Sequence, residues 1–302
     1  MKTTFLPWID KQREKINWSS MSYNKNAISL LEDNFDKIDW NRLSWNINAI
    51  SILEKNLDKV NWENLSRNEN AISILEKNLD KVYWGRLCFN VNAISILEKY
   101  LDYVDWDNLS SNINAISILE KNLDKVEWDS LSGNENAIPI LEKNLDKVDW
   151  HYLSHNKNAV PILEKNVKKI IWGSACHNIN AIHLLEKNIH LICWFNLSDN
   201  INAIHILENN LDHKYISWGN LSYNINAIPI LEKNLDKVKW NSLSRNSMAI
   251  HLLEQNQDKI DWKELSMNPN IFCCDYSYYK KRMDIHRDEL MKKAFHLRSV
   301  YG

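Results

Sequence analysis

The chain has 302 residues, and its 39 acidic and 37 basic side chains nearly cancel. That balance excludes the overall basic excess that draws a protein to nucleic-acid phosphates or anionic membranes. Five Gly and five Pro are too few for a chain of hairpins and tight turns, so helix is favoured before any pattern is read.

Met1 to Asp10 hold no apolar run fit for a signal peptide, and no stretch approaches the ~20 apolar residues of a membrane span. A soluble, cytoplasmic protein with no membrane partner is the expectation. Residues 1–17, with Phe5, Leu6 and Trp8, read as a partial unit that caps the first complete one.

From Trp18 the chain repeats. Trp18, Trp40, Trp62, Trp84, Trp106, Trp128, Trp150, Trp172 and Trp194 follow at 22-residue intervals; after one interval of 24, Trp218, Trp240 and Trp262 resume the period. With Trp as position one, the unit reads W-x-x-L-S-x-N-x-N-A-I-x-I-L-E-K-N-L-D-K-V-x. This predicts an all-α protein, an α-solenoid of about twelve 22-residue helix-turn-helix repeats over residues 18–270, with terminal caps. At ~8–10 Å per step such a stack would span about 100 Å.

Two start signals divide each unit. Position twenty-two is often a capping residue, as at Asp39, Asn61, Asp105, Asp149, Ser217 and Asp261, whose side chains can accept from free N–H groups of a short helix W-x-x-L-S. The ninth-position Asn is the expected cap of the second helix, because Pro139, Pro161 and Pro229 at position twelve then fall in its first turn, where Pro costs little. The Asn at position seventeen is expected to close that helix in a left-handed conformation. The Trp column is expected to be core, at up to ~5 kcal/mol per copy. The seventh-position Asn, present in every copy from Asn24 to Asn268, predicts a ladder joining adjacent units.

The framework changes at Val167–Ile171 and again at Ile189–Cys193, just before the two extra residues near His213–Ser217. Beyond Asn270 the period ends. Residues 271–302 are read as a C-terminal capping helix whose Met283, Leu290, Met291 and Leu297 close the core, with a basic face available to an anionic partner.

The unit L-S-x-N-x-N-A-I-x-I-L-E-K-N-L-D-K-V-D-W and the ending N-P-N-I-F-x-x-D-Y…M-D-I-x-R-D-E-L-M-x-K-A-F-H resemble an uncharacterised helical repeat family of giant nucleocytoplasmic DNA viruses (mimivirus-like). The resemblance covers nearly the whole chain. It departs at Leu297, where similar tails carry Pro, and over Val167–Cys193. It implies a viral protein made in host cytoplasm or packaged in a virion, and brings no activity with it. A looser likeness to leucine-rich-variant repeats implies the same architecture alone.

No phosphate-cradling glycine loop, G-x-S-x-G elbow, H-E-x-x-H or Ca²⁺ loop occurs, so no catalytic residue, cofactor or metal is expected. Five cysteines, at 88, 176, 193, 273 and 274, make no C-x-x-C pair, and Cys88 and Cys176 stand where Ser is usual. Position six varies most: Tyr23, Trp45, Arg67, Phe89, Ser111, Gly133, His155, His177, Asp199, Tyr223, Arg245 and Met267. Tyr, Trp and Arg are favoured at binding hot spots. The reading is a non-catalytic protein–protein interaction scaffold whose partner contacts are Tyr23, Trp45, Arg67, Phe89, His155, His177, Tyr223 and Arg245, with Ile171 and Leu191 forming an apolar patch beside the two histidines in units seven and eight. The alternatives are a helical repeat that stacks bases, disfavoured by the charge, and a self-associating structural or virion component.

Overall fold

The computed structural model describes residues 2–301, with side chains described as far as Leu290. It is an all-α solenoid of regularly repeating helix pairs. The first helix of a unit is short, as in Trp40–Trp45, and the second is similar, as in Ile50–Glu54. Neither length is stable alone in water, so the bonds that tie the units together explain the fold.

Position twenty-two caps the first helix as expected. Asp39, Asn61, Asp105, Asp149, Ser217 and Asp261 accept from backbone N–H groups of the first turn, and Asn17 does the same for unit one. The second helix differs from expectation. Its N-cap is the tenth-position Ala, without side-chain capping, and each prolyl residue lies in the first turn. The ninth-position Asn instead reaches the previous unit, as Asn48 Nδ2 does to the Lys25 carbonyl at 2.9 Å. The seventeenth-position Asn is not left-handed either, and no described residue has positive φ. It closes the helix with its side chain, Asn56 Nδ2 donating to the Ile52 carbonyl at 2.8 Å, which satisfies one of the orphan carbonyls at a helix end.

Two buried polar columns organise the stack. The fifth-position Ser, as Ser44, donates from Oγ to the Trp40 carbonyl and accepts the Asn61 N–H, joining both ends of one unit. The seventh-position Asn joins units: Asn46 Nδ2 donates to the Ser22 and Asn24 carbonyls at 3.1 and 3.0 Å, while its Oδ1 accepts the Asn48 N–H. Around these columns the core is built from Leu at positions four and fourteen, such as Leu109 and Leu119, which are wholly buried. The tryptophans are half-buried rather than core; only Trp194 among the repeat tryptophans is buried. Their outer faces are covered by the unit's own position-twenty lysine, at 4.7–5.0 Å for Lys37, Lys59, Lys81, Lys125, Lys147, Lys169, Lys237 and Lys259, a cation–π contact that also dries the ring.

Neighbouring first helices pack side by side, whereas second helices are bridged by long side chains, as from Lys77 to Glu54 at 3.9 Å and His183 to Glu164 at 2.8 Å. The more tightly spaced layer lies on the smaller circle, so the first helices form a concave inner wall. That curvature is carried through to closure. Asn24 Nδ2 in the first unit donates to the Ser266 and Asn268 carbonyls of the twelfth at 3.0 and 2.9 Å, the same pair of bonds that every other unit makes with its predecessor. The asparagine ladder therefore has no end. The expected extended stack of about 100 Å is corrected to a closed ring. Twelve first helices spaced ~8–10 Å apart give an inner wall ~30–38 Å across between helix axes, and subtracting a helix thickness leaves an opening of ~20–25 Å. The accessible surface, 16611 Å², exceeds the ~13,000 Å² of a compact monomer of this mass, as a perforated ring requires.

The seam explains both ends of the sequence. Phe5 to Ile16, F-L-P-W-I-D-K-Q-R-E-K-I, has the register of A-I-P-I-L-E-K-N-L-D-K-V, so the N-terminal segment is the second half of a unit whose first half is Trp262–Asn270. Trp8 packs on Trp262 at 6.5 Å, Lys15 covers Trp262 at 5.3 Å where a position-twenty Lys belongs, and the Asn17 N–H reaches Ser266 Oγ at 3.0 Å as in every unit with Ser at position five. Two strands fasten the join: β1 (Thr3–Phe5) pairs antiparallel with β2 (Phe272–Cys274), with Phe5 stacked on Phe272. Residues 2–17 thus complete the last unit as well as shielding the first. Because the N-terminus covers that end, the terminal helix Tyr276–Tyr301 does not close the core: Met283 is 73% and Leu290 56% exposed. Met291 and Leu297 lie outside the described side chains.

Candidate functional site

On a six-residue helix that buries positions four and five, positions two, three and six share the opposite face and look into the ring. Position six sits at the end of the helix, where this inner face meets the rim formed by the loop to the second helix. A cleft of about 420 Å³ shows the face directly, since Asn241 at position two, Ser242 and Glu264 at position three, and Tyr223 and Arg245 at position six line it together.

Several neighbouring position-six side chains touch. Arg67 lies between Trp45 and Phe89, its guanidinium 5.2 and 4.6 Å from the two ring centroids. Tyr23, 46% exposed, continues this row and joins Trp45 around a cleft of about 260 Å³ with Lys25, Ile47, Met267 and Pro269. Farther round, the His155 and His177 rings are 5.6 Å apart and His177 Nδ1 is 4.0 Å from Asp199. Burial, then the neighbouring His177 and His151, lower the His155 pKa. Arg245 pairs with Glu264 at 3.8 Å beside Tyr223.

The ten sequence-derived contacts therefore separate. Tyr23, Trp45, Arg67 and Phe89 form one continuous row, His155 and His177 a pair, and Tyr223 with Arg245 a third group. Ile171 and Leu191 are exposed, at 44% and 45%, and the Ile171 N–H donates to Oγ of Ser154, the residue before His155, at 3.0 Å. Ile171 holds position twenty-two of unit seven, whose equivalent Asp261 lines one cleft with the position-six Arg245. Leu191 stands at position twenty, where Lys covers Trp in most units. Positions two, three and eight were missed as site residues, although their variability beside a fixed framework is as readable as that of position six.

Chemistry-bearing groups elsewhere are occupied structurally. Burial pushes the Cys88 and Cys176 thiols up to about 11, so neither supplies appreciable thiolate near neutrality. Cys176 Sγ accepts the Cys193 N–H at 3.2 Å, in the role Ser plays elsewhere. His183, His205 and His251 bond to Glu164, Glu186 and Glu232 of the preceding units. Among the described residues no group of three His, Cys, Asp or Glu is placed to hold a metal ion, and no helix is long and apolar enough to cross a membrane.

Comparison with protein-family models, curated proteins and solved structures finds no match for this chain.

Proposed function

We propose that the ring is a non-catalytic scaffold that binds a protein partner on its inner face and the adjoining rim. The observation that carries this reading is the Trp45–Arg67–Phe89 row. It combines hot-spot residue types in a fixed, water-accessible arrangement, while the bonds that hold the ring closed run through the buried Ser and Asn columns and do not need it. The inner face also weighs against nucleic acid: Glu63, Asp107, Asp129, Asp199 and Glu264 balance Arg42, Arg67, Arg86, Arg245 and Lys263, so it lacks the positive lining that phosphates require. The resemblance to giant-virus repeats would make the partner a viral or host cytoplasmic protein. Selection of a displayed peptide library on the ring tests the reading, with a Trp45→Ala, Arg67→Ala, Phe89→Ala variant of unchanged helicity as counter-target. Ligands that the variant releases support it; ligands held equally by both proteins would move the binding surface elsewhere.

A further inference from the structure

Four arginines lie on the inner wall, and three have a carboxylate partner: Arg42 with Asp39 at 3.7 Å, Arg86 with Glu63 at 2.7 Å and Arg245 with Glu264 at 3.8 Å. Among the described residues Arg67 has no carboxylate within ion-pair distance. Its guanidinium carbon lies over both the Trp45 and the Phe89 ring, which holds the group in place by cation–π attraction and leaves its N–H donors available for a planar anion. Position eight repeats the contrast. Lys157 pairs with Glu135 of the previous unit at 2.6 Å, whereas the neighbours of Lys25 at that position are Ile47 and Pro269, which offer no charge. Lys25 is therefore a second uncompensated cation, at the edge of the apolar cleft made by Tyr23, Trp45, Ile47 and Met267.

We propose that this arc binds an extended acidic peptide, with one carboxylate on Arg67, another on Lys25, and an apolar side chain between them in the Tyr23–Trp45 cleft. This rests on the scaffold reading and names its partner class. Arg67 and Lys25 are two units apart, ~16–20 Å at helix-packing spacing, which an extended chain covers in about five or six residues at ~3.3 Å each. The apolar residue stands nearer the Lys25 end, an even number of residues from each acid, because alternate side chains share one side of a strand. An acidic peptide completes the charge that the ring leaves open; the paired arginines elsewhere on the wall lack that demand.

The test uses the full chain and a fluorescein-labelled peptide Ser-Asp-Ser-Phe-Ser-Ser-Ser-Asp-Ser, read by anisotropy at low and at physiological salt. Arg67→Gln and Lys25→Gln are each expected to weaken binding about tenfold, Arg86→Gln to leave it unchanged, and Asn-for-Asp or Ala-for-Phe peptides to bind poorly. Affinity is expected to fall with added salt. Equal binding by Arg67→Gln and the unaltered ring would overturn the inference, as would no binding of the peptide or tighter binding of a labelled oligothymidylate. The library selection separates this failure from that of the scaffold reading: neutral or basic ligands that the Trp45→Ala, Arg67→Ala, Phe89→Ala variant releases would leave a scaffold with a different partner class.

Discussion

The seventh-position Asn acts three times at once. In unit six, Asn134 donates to the Ser110 and Asn112 carbonyls at 3.0 Å each and accepts the Asn136 N–H, all in a buried setting. Removing it strands the Ser110 carbonyl and the Asn136 N–H, while the Asn112 carbonyl keeps the Ala115 N–H, and an orphaned buried polar group costs ~1–3 kcal/mol. Asn134→Ala is therefore expected to destabilise the ring by about 3 kcal/mol, and Asn136→Ala, whose single bond to Ile113 is exposed, by less than about 1 kcal/mol. Urea denaturation of the two variants checks this; equal midpoints would remove the ladder from the explanation. The sequence made position seven legible because it recurs without exception, but not the job of position nine, since an Asn before a helix reads as a cap whether or not its side chain turns away to a neighbouring unit.

Histidine offers a second test at this scale. His155 has its pKa lowered first by burial and then by His177. The unfolded chain takes up that proton at higher pH than the folded ring does, so the neutral imidazole's contribution to stability is present above the ordinary His range and is lost as pH falls through it. His177→Gln removes the second of three lowering causes, leaving burial and His151. The His155 imidazole is expected to titrate at higher pH in that variant, though still below an unperturbed His, as followed by its ring-proton NMR signals. An unchanged titration would mean that His177 plays no part in setting it.

Within the elements, the amphipathic pattern identified which residues pack but misjudged their order of importance. Trp106 looked like the heart of a unit because it is the largest and most regular residue, yet position one is the first residue of a helix on the rim, and its indole is only partly buried under Lys125. Leu109, one turn later, is wholly buried. Leu109→Ala is thus expected to cost ~2–5 kcal/mol, as buried Leu truncations do, and Trp106→Ala less than the ~3–5 kcal/mol of a fully buried aromatic; Glu120→Ala on the charged outer layer should stay within about 0.5 kcal/mol. Thermal denaturation ranks them, and a Trp106 variant less stable than the Leu109 one would restore the Trp column to the core.

For the molecule as a whole, periodicity gave the unit but not the curvature, because the angle between units depends on the difference in spacing between two helical layers, which no single position encodes. The closure was nonetheless written in the chain: Pro7, Asp10, Lys11 and Lys15 stand in the register of a second half-unit, a signal weakened by Trp8 and Arg13 at positions usually held by Ile and Leu. Splitting the last unit across the seam has a physical consequence. A break between whole units would leave closure to the first-helix contact and the ladder, since second helices lie far apart, whereas the native break adds the packing of Trp8 and Ile9 inside one unit and the pairing of β1 with β2. Circular permutants can measure the difference. With the chain ended at Asp275, whose N–H donates to the Lys2 carbonyl at 3.2 Å, a two-residue Asn-Gly turn can join it to Lys2 as a hairpin. New termini between Asn158 and Ala159 then split a unit as the native seam does, while termini between Asp149 and Trp150 leave every unit whole. Both are expected to be helical. The first should keep the compact radius of gyration of the native ring to higher urea, and the second should open earlier, its small-angle scattering shifting to a longer, arc-shaped particle before helicity is lost. If both open at the same urea concentration, the split unit is an accident of where the chain begins and not the fastening of the ring.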